Sequence, residues 1–289
     1  MDRQQFSEFF AQQGYRVYQT PSSYWVEAHP FCFQNIPYFQ AINPTEEELH
    51  SLFFRKLAIL VRFITSQDAK AMPAYYWVCA DKGYDFHLLE TKSRNQTRRG
   101  LENTRVSPLS FDFLVKKGMI LIKDTAVRQE REPDFASPEE WATFCEVAGK
   151  IPDFDAWGAF VDNRLAAFLI GAKILDYYYI LHQASETRSL NMRPNNALVY
   201  IVTKEKINDA SINAVSYGLD SVEFTPGLNR FKSGMGYQRE KIYQRIMINP
   251  WFRWIKNKQV MAALAKVIKI TPQSNYLRKA HAVLNTLTQ

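Results

Sequence analysis

Arg94, Arg98 and Arg99 crowd into one basic stretch, Lys92–Glu102, with helical spacing. Guanidinium groups so placed suit a phosphorylated acceptor or RNA, and equally a solvated helix face. Asn195 and Asn196 follow Pro194 at the head of an apolar run. Their amides can bond a substrate there or cap the helix. Tyr24, Trp25 and Glu27 share an aromatic, strand-like segment, which places Trp25 and Glu27 against either a cleft or a core. Asp153 and Asp155 flank Phe154 as general-base candidates. Asp124 and Arg128, one helical turn apart, read as an ion pair.

Other chemistries find no support. Cys32, Cys79 and Cys145 form no CxxC pair, and His29, His50, His87, His182 and His281 form no HxH or HxxxH pair. No metal centre or redox motif is expected, and the cysteines read as buried reduced thiols. There is no serine elbow, P-loop or Rossmann glycine pattern, which argues against a hydrolase, an NTPase and a dehydrogenase.

These residues must be positioned by alternating elements. Residues 2–13 read as a helix, Tyr15–Gln19 and Tyr24–Ala28 as strands, and Thr45 as the N-cap of an acid-headed helix. Ala58–Ile64 and Tyr75–Ala80 read as strands. Lys92–Glu102, Pro108–Gly118, Ile120–Arg128 and a run opened by Ser137-Pro138 read as helices. Beyond Phe154 come strands Ala156–Val161 and Leu165–Leu175, joined by the hairpin signal Asp162-Asn163, and then strand Tyr177–His182. Helix Pro194–Lys206, strand Ile212–Tyr217, helix Leu228–Met235 and strand Lys241–Ile248 complete the order.

The chain of 289 residues is 46% hydrophobic and 14% aromatic, enough for packed cores and against bulk disorder. Its net charge of +7 is uneven. Glu240 is the last acid, and nine Lys and Arg follow it without a counter-charge. The basic end contains Trp251, Trp254 and two helix-like runs, Gln259–Ile270 and from Pro272 to about Leu287. It suits peripheral contact with an anionic membrane, or nucleic acid, or a solvated face of docked helices. No apolar run is long enough to span a bilayer and the first residues resemble no secretory signal, so a cytoplasmic location is expected.

Three stretches, in order and at suitable separations, carry a family resemblance: Ala156–Ala172, Pro194–Leu198 and Gly227–Tyr237. Together they resemble the GNAT acyltransferase superfamily, and within it the Fem-type peptidyltransferases. The first looks like the opening hairpin, the second like the start of the helix after the splayed central strand, and the third like the Phe-Lys-x-x-x-Gly-Tyr-type signature of the last helix. The resemblance is closest over residues 154–248 and looser before them. It implies an α/β fold with a mixed sheet flanked by helices. On that likeness there would be two tandem GNAT-like halves, residues 1–150 and 151–249, and a basic helical tail, 250–289.

The resemblance also implies a function: transfer of an acyl or aminoacyl group to a small-molecule or peptide-like amine acceptor. Lys232 and Tyr217 become the catalytic candidates, with Ser216 beside Tyr217 lining the splayed cleft. In family members that use acyl-CoA, a glycine loop at the helix N-terminus binds the pyrophosphate. The matching segment here, Arg188–Asn196, has no glycine, and Pro194 lacks an N–H. Fem-type members share that absence and use aminoacyl-tRNA. The donor is therefore expected to be acyl-CoA or aminoacyl-tRNA, its anion held by Arg188, Arg193, Asn195 and Asn196. Trp25, Glu27, Arg98, Arg99 and Ser216 are the acceptor-binding candidates, and tRNA is a candidate partner. The alternatives are a non-catalytic scaffold of the same fold that binds a ligand or partner, or an RNA-binding protein.

Overall fold

A computed structural model describes residues 1–66, 71–220 and 226–252 of the chain. The helix-like runs expected in the basic tail lie outside the described residues. The described residues form two compact units, one holding residues 2–66, 71–75, 219–220 and 241–252, the other Met1, 76–218 and 226–240.

The first unit opens with helix α1 (Arg3–Gln12), whose Asp2 cap and Gln5 form a capping box. Strands β1 (Val17–Gln19), β2 (Tyr24–His29) and β3 (Cys32–Ile36) follow as an antiparallel series. Helix α2 (Glu46–His50) starts where the sequence places it. The Thr45 hydroxyl accepts from Glu48 N, and Glu48 reaches back to Thr45 N. Strand β4 (Leu60–Thr65) runs parallel to β3, and the later part of β11 (Gln238–Ile248) pairs antiparallel with β4. Trp25, Phe33, Val61 and Phe63 make the core on one face. Strand β3 has no counterpart in the sequence reading; its alternation is obscured by the polar residues Gln34 and Asn35, of which Asn35 is buried and bonds the carbonyls of Pro37 and Gln40.

The second unit begins within β5 (Met72–Cys79) and contains α3 (Thr91–Asn103), β6 (Arg105–Leu109), α4 (Phe111–Arg128) and α5 (Pro138–Ala148). Then come β7 (Phe154–Val161), β8 (Arg164–Ile174), β9 (Tyr177–Ser185), α6 (Pro194–Ile207), β10 (Ala214–Leu219) and α7 (Pro226–Gly234). This unit opens at residue 76, and α3, α4 and α5 pack within it.

Two helix expectations are corrected. Residues 105–109 form a strand, and Pro108 sits in it opposite Trp157. Proline is tolerated there because β6 ends the strand order and leaves one edge unpaired. Pro108–Gly118 and Ile120–Arg128 are not two helices, since α4 runs unbroken through Gly118. That glycine admits the Trp141 indole of α5, whose ring carbon stands 2.5 Å from where a Cβ would be.

The hairpin between β7 and β8 turns at Asp162 and Asn163, both at positive φ, as a two-residue turn requires. Strands β6 to β9 are antiparallel neighbours, whereas β9 and β10 run parallel. Helix α6 packs on this sheet with Leu198, Val199 and Val202 fully buried.

Candidate functional site

The parallel pair is short. Tyr177, Tyr178 and Tyr179 face Ala214, Val215 and Ser216, and beyond them β9 and β10 have no further partners in register. Parting strands leave a gap at their C-terminal ends, the usual place for a ligand in an open α/β sheet. A cavity of 330 Å³ occupies it. Helix α4 contributes Thr125 and Arg128, followed by Gln129 and Arg131. The β9 stretch contributes Ile180, Leu181, Gln183, Ala184 and Ser185, and α6 contributes Asn195. Tyr217 of β10 and Leu228, Phe231 and Lys232 of α7 complete the wall.

Strand β9 carries a bulge at this point. Ile170 of β8 pairs with His182 and Gly171 with Ile180, so Leu181 has no residue opposite it. A bulge resets the side-chain alternation. Tyr178 and Ile180 pack towards α6. Straight alternation would send His182 to that face, but His182 packs instead between Phe135 and Phe144. Burial pulls its pKa down. Gln183 takes the face with α6 and the cavity.

Lys232 is 4% exposed, and its Nζ donates to the Tyr217 carbonyl at 3.0 Å while lying 5.0 Å from the centre of the Tyr217 ring. The Tyr217 hydroxyl donates to Gln183 Oε1. Burial pushes the phenol well above its ordinary pKa, so it remains protonated at neutral pH. Gln183 Nε2 donates to Asn195 Oδ1 at 3.0 Å, and Asn195 Nδ2 donates to Ser185 Oγ at 3.0 Å. Arg128 closes the series, donating to Ser185 Oγ at 3.2 Å and to the Ser185 carbonyl at 3.0 Å. Among the described lining residues there are three cationic side chains and no carboxylate or imidazole.

The structure thus brings together Lys232, Tyr217 and Asn195 of the residues singled out in the sequence. The others lie elsewhere. Ser216 is 1% exposed and its hydroxyl accepts from Gly218 N. Asn196 is buried with its amide against the Met235 sulfur. Arg188 pairs with Glu186 at 2.8 Å. Arg193 adopts a left-handed conformation at the N-cap of α6 and makes no side-chain capping bond. Arg98 stacks on Phe86, and Arg99 is exposed on α3.

Trp25 is fully buried in the core of the first unit and its indole N–H donates to Thr20 Oγ1, so this side chain belongs to the core. Glu27 is committed to Arg16, which holds its carboxyl below the usual range. Asp153 holds the N-terminal ammonium at 2.7 Å and Asp155 pairs with Lys206; neither lines the cavity. The Asp124–Arg128 contact exists at 3.9 Å, but both side chains also bond elsewhere, Asp124 to Thr187 and Arg128 to Ser185. Gln183, Ser185, Thr125 and Arg131 also line the cavity, and none of them was a candidate on residue type and spacing. The bulge that aims Gln183 leaves no signature in residue type. Among the described residues no three His, Cys, Asp or Glu side chains gather as metal ligands, and no helix is long and apolar enough to cross a membrane.

No family profile matches the sequence, and no curated protein matches it. Solved structures do. FemX is similar with a TM-score of 0.60 at 10% identity, over 87% of this chain and 93% of that one. L-PGS from Bacillus licheniformis has a TM-score of 0.52 at 11% identity, over 84% and 87%. A conserved protein of unknown function from Bacteroides thetaiotaomicron reaches 0.55 at 9% identity, over 82% and 86%. At these identities the likeness is one of fold, and the chain has a Fem-like α/β fold.

Proposed function

We propose that the cleft between β9 and β10 transfers an acyl or aminoacyl group to an amine acceptor, small or peptide-like. The observation that carries this reading is Lys232, a buried ammonium set in the wall of the cavity beside Tyr217. The acceptor nitrogen attacks the carbonyl carbon of an ester or thioester. A C–N bond forms and the carbonyl electron pair moves onto oxygen. Lys232 stabilises that oxyanion, an effect commonly worth about 3 kcal/mol in a dry site. Collapse expels the alkoxide or thiolate, which takes the proton released by the amine. No base among the described lining residues competes for that proton. Catalysis then comes mostly from holding the two reactants together. Arg128 and Arg131 supply positive charge for an anionic group on either substrate.

The head of α6 favours an aminoacyl-tRNA donor over acyl-CoA. Pro194 has no N–H, and those of Asn196 and Ala197 are directed at the Arg193 carbonyl. Gly100 of α3 packs against that carbonyl, 2.6 Å from where its Cβ would stand. Little backbone is left to receive a pyrophosphate. The same feature supports a second reading, a scaffold that binds an anionic ligand without chemistry.

One experiment separates them. The protein is incubated with charged tRNA, and separately with acetyl-CoA, against a panel of amine acceptors, with Lys232→Ala in parallel. We expect Lys232-dependent amide formation with charged tRNA. Binding without turnover from either donor would replace the transferase by the scaffold, and turnover from acetyl-CoA alone would overturn the choice of donor.

A further inference from the structure

We infer that Gln183 is the positioning residue of this cleft: it fixes Tyr217 and, through the ring and carbonyl of Tyr217, the Lys232 ammonium. The inference deepens the role given to Lys232 above and rests on it.

Three observations carry it. First, the Gln183 amide is engaged at both ends in opposite senses. Its oxygen accepts the Tyr217 hydroxyl while its nitrogen donates to Asn195 Oδ1 at 3.0 Å. An amide held this way has one orientation consistent with its neighbours. Asn195 is held likewise by its bond to Ser185 Oγ, so the support reaches back to α6 and to the end of β9. Second, Lys232 meets Tyr217 twice, at the carbonyl and over the ring face. A ring that turns about its χ angles moves the face that carries the ammonium. The Gln183 bond is what ties the far end of that ring. Third, the bulge at Leu181 exists at the position that aims Gln183, and not His182, at α6. A glutamine on that face faces Leu169 in β8, a fully buried residue.

The test reads Lys232 itself and needs no substrate. The full-length protein is labelled briefly with a trace of acetic anhydride, and modification of Lys232 is measured by mass spectrometry relative to Lys206. Lys206 is ion-paired to Asp155 in the same unit and reports general loosening. In Gln183→Leu the Lys232-to-Lys206 ratio is expected to rise about fivefold, the shift that follows from one lost hydrogen bond. In Gln183→Glu, whose carboxylate still accepts the Tyr217 hydroxyl, the ratio is not expected to rise. An unchanged ratio in Gln183→Leu, or an equal rise in both variants, overturns the inference. If Gln183→Leu does not fold, Asn195→Leu, which removes the other support of the amide, is read by the same criterion. A protein that fails every transfer assay still returns a positive or negative answer here, so this inference and the transferase reading fail independently.

Discussion

An ammonium that is 4% exposed must be held by acceptors or by a ring face, and Lys232 has both in Tyr217. Lys232→Ala is expected to lower transfer about 100-fold while moving the melting temperature little, since the variant removes the charge along with its burial. Turnover and thermal unfolding measured on the same preparation check this; a large fall in melting temperature with proportionate loss of turnover would make Lys232 structural. A second residue-scale expectation concerns pH. Bonds from Lys204, Tyr200 and the Phe86 N–H hold the Asp85 carboxyl well below its ordinary range. A depressed carboxyl contributes stability above its unfolded pKa of about 4 and loses it as pH falls towards the folded value. The stability measured by urea unfolding should therefore fall less steeply from about pH 5 to about pH 2 in Asp85→Asn than in the wild type. Equal slopes would show that Asp85, itself half-exposed, is screened to no effect.

Helices and strands set what these residues can do. Gly118 lets α4 lie against the Trp141 indole, so Gly118→Ala should destabilise by about 1–3 kcal/mol despite the better helix propensity of alanine. Gly227, in the first turn of α7, has open space around its Cβ position, and there the same change should stabilise by about 0.5 kcal/mol. Urea midpoints of the two variants should move in opposite directions; movement the same way would mean that packing at Gly118 relaxes freely. The cap signals at Thr45 and Ser137 and the turn at Asp162-Asn163 were legible because local hydrogen bonding alone determines them. The strand at 105–109 was not legible, because only the neighbouring β7 makes it a strand.

For the whole molecule, charge is the property that composition already exposes. Residues up to Glu240 carry 27 basic against 29 acidic side chains, and the excess lies after it. If that stretch meets a polyanion, binding to tRNA should weaken steeply with salt. Replacing Lys256, Lys258, Lys266 and Lys269 by Gln should then lower the log–log slope by about three. Fluorescence anisotropy across a salt series measures it, and an unchanged slope would remove these lysines from the contact.

By itself the sequence determined the alternation of elements, most helix starts, and the position of Lys232 and Tyr217 near the end of a Fem-like order. Those depend on contacts within a few residues or on the linear order of motifs. The meeting of Lys232, Tyr217, Gln183, Asn195, Ser185 and Arg128 was decided only by tertiary structure. They come from α4, β9, α6, β10 and α7, and what joins them is where two parallel strands part and where a single unpaired residue shifts the alternation of one of them. The same folding withdrew Trp25, Ser216 and Asn196 into buried positions, because their exposure depends on which neighbours cover them, and residue type carries no record of that.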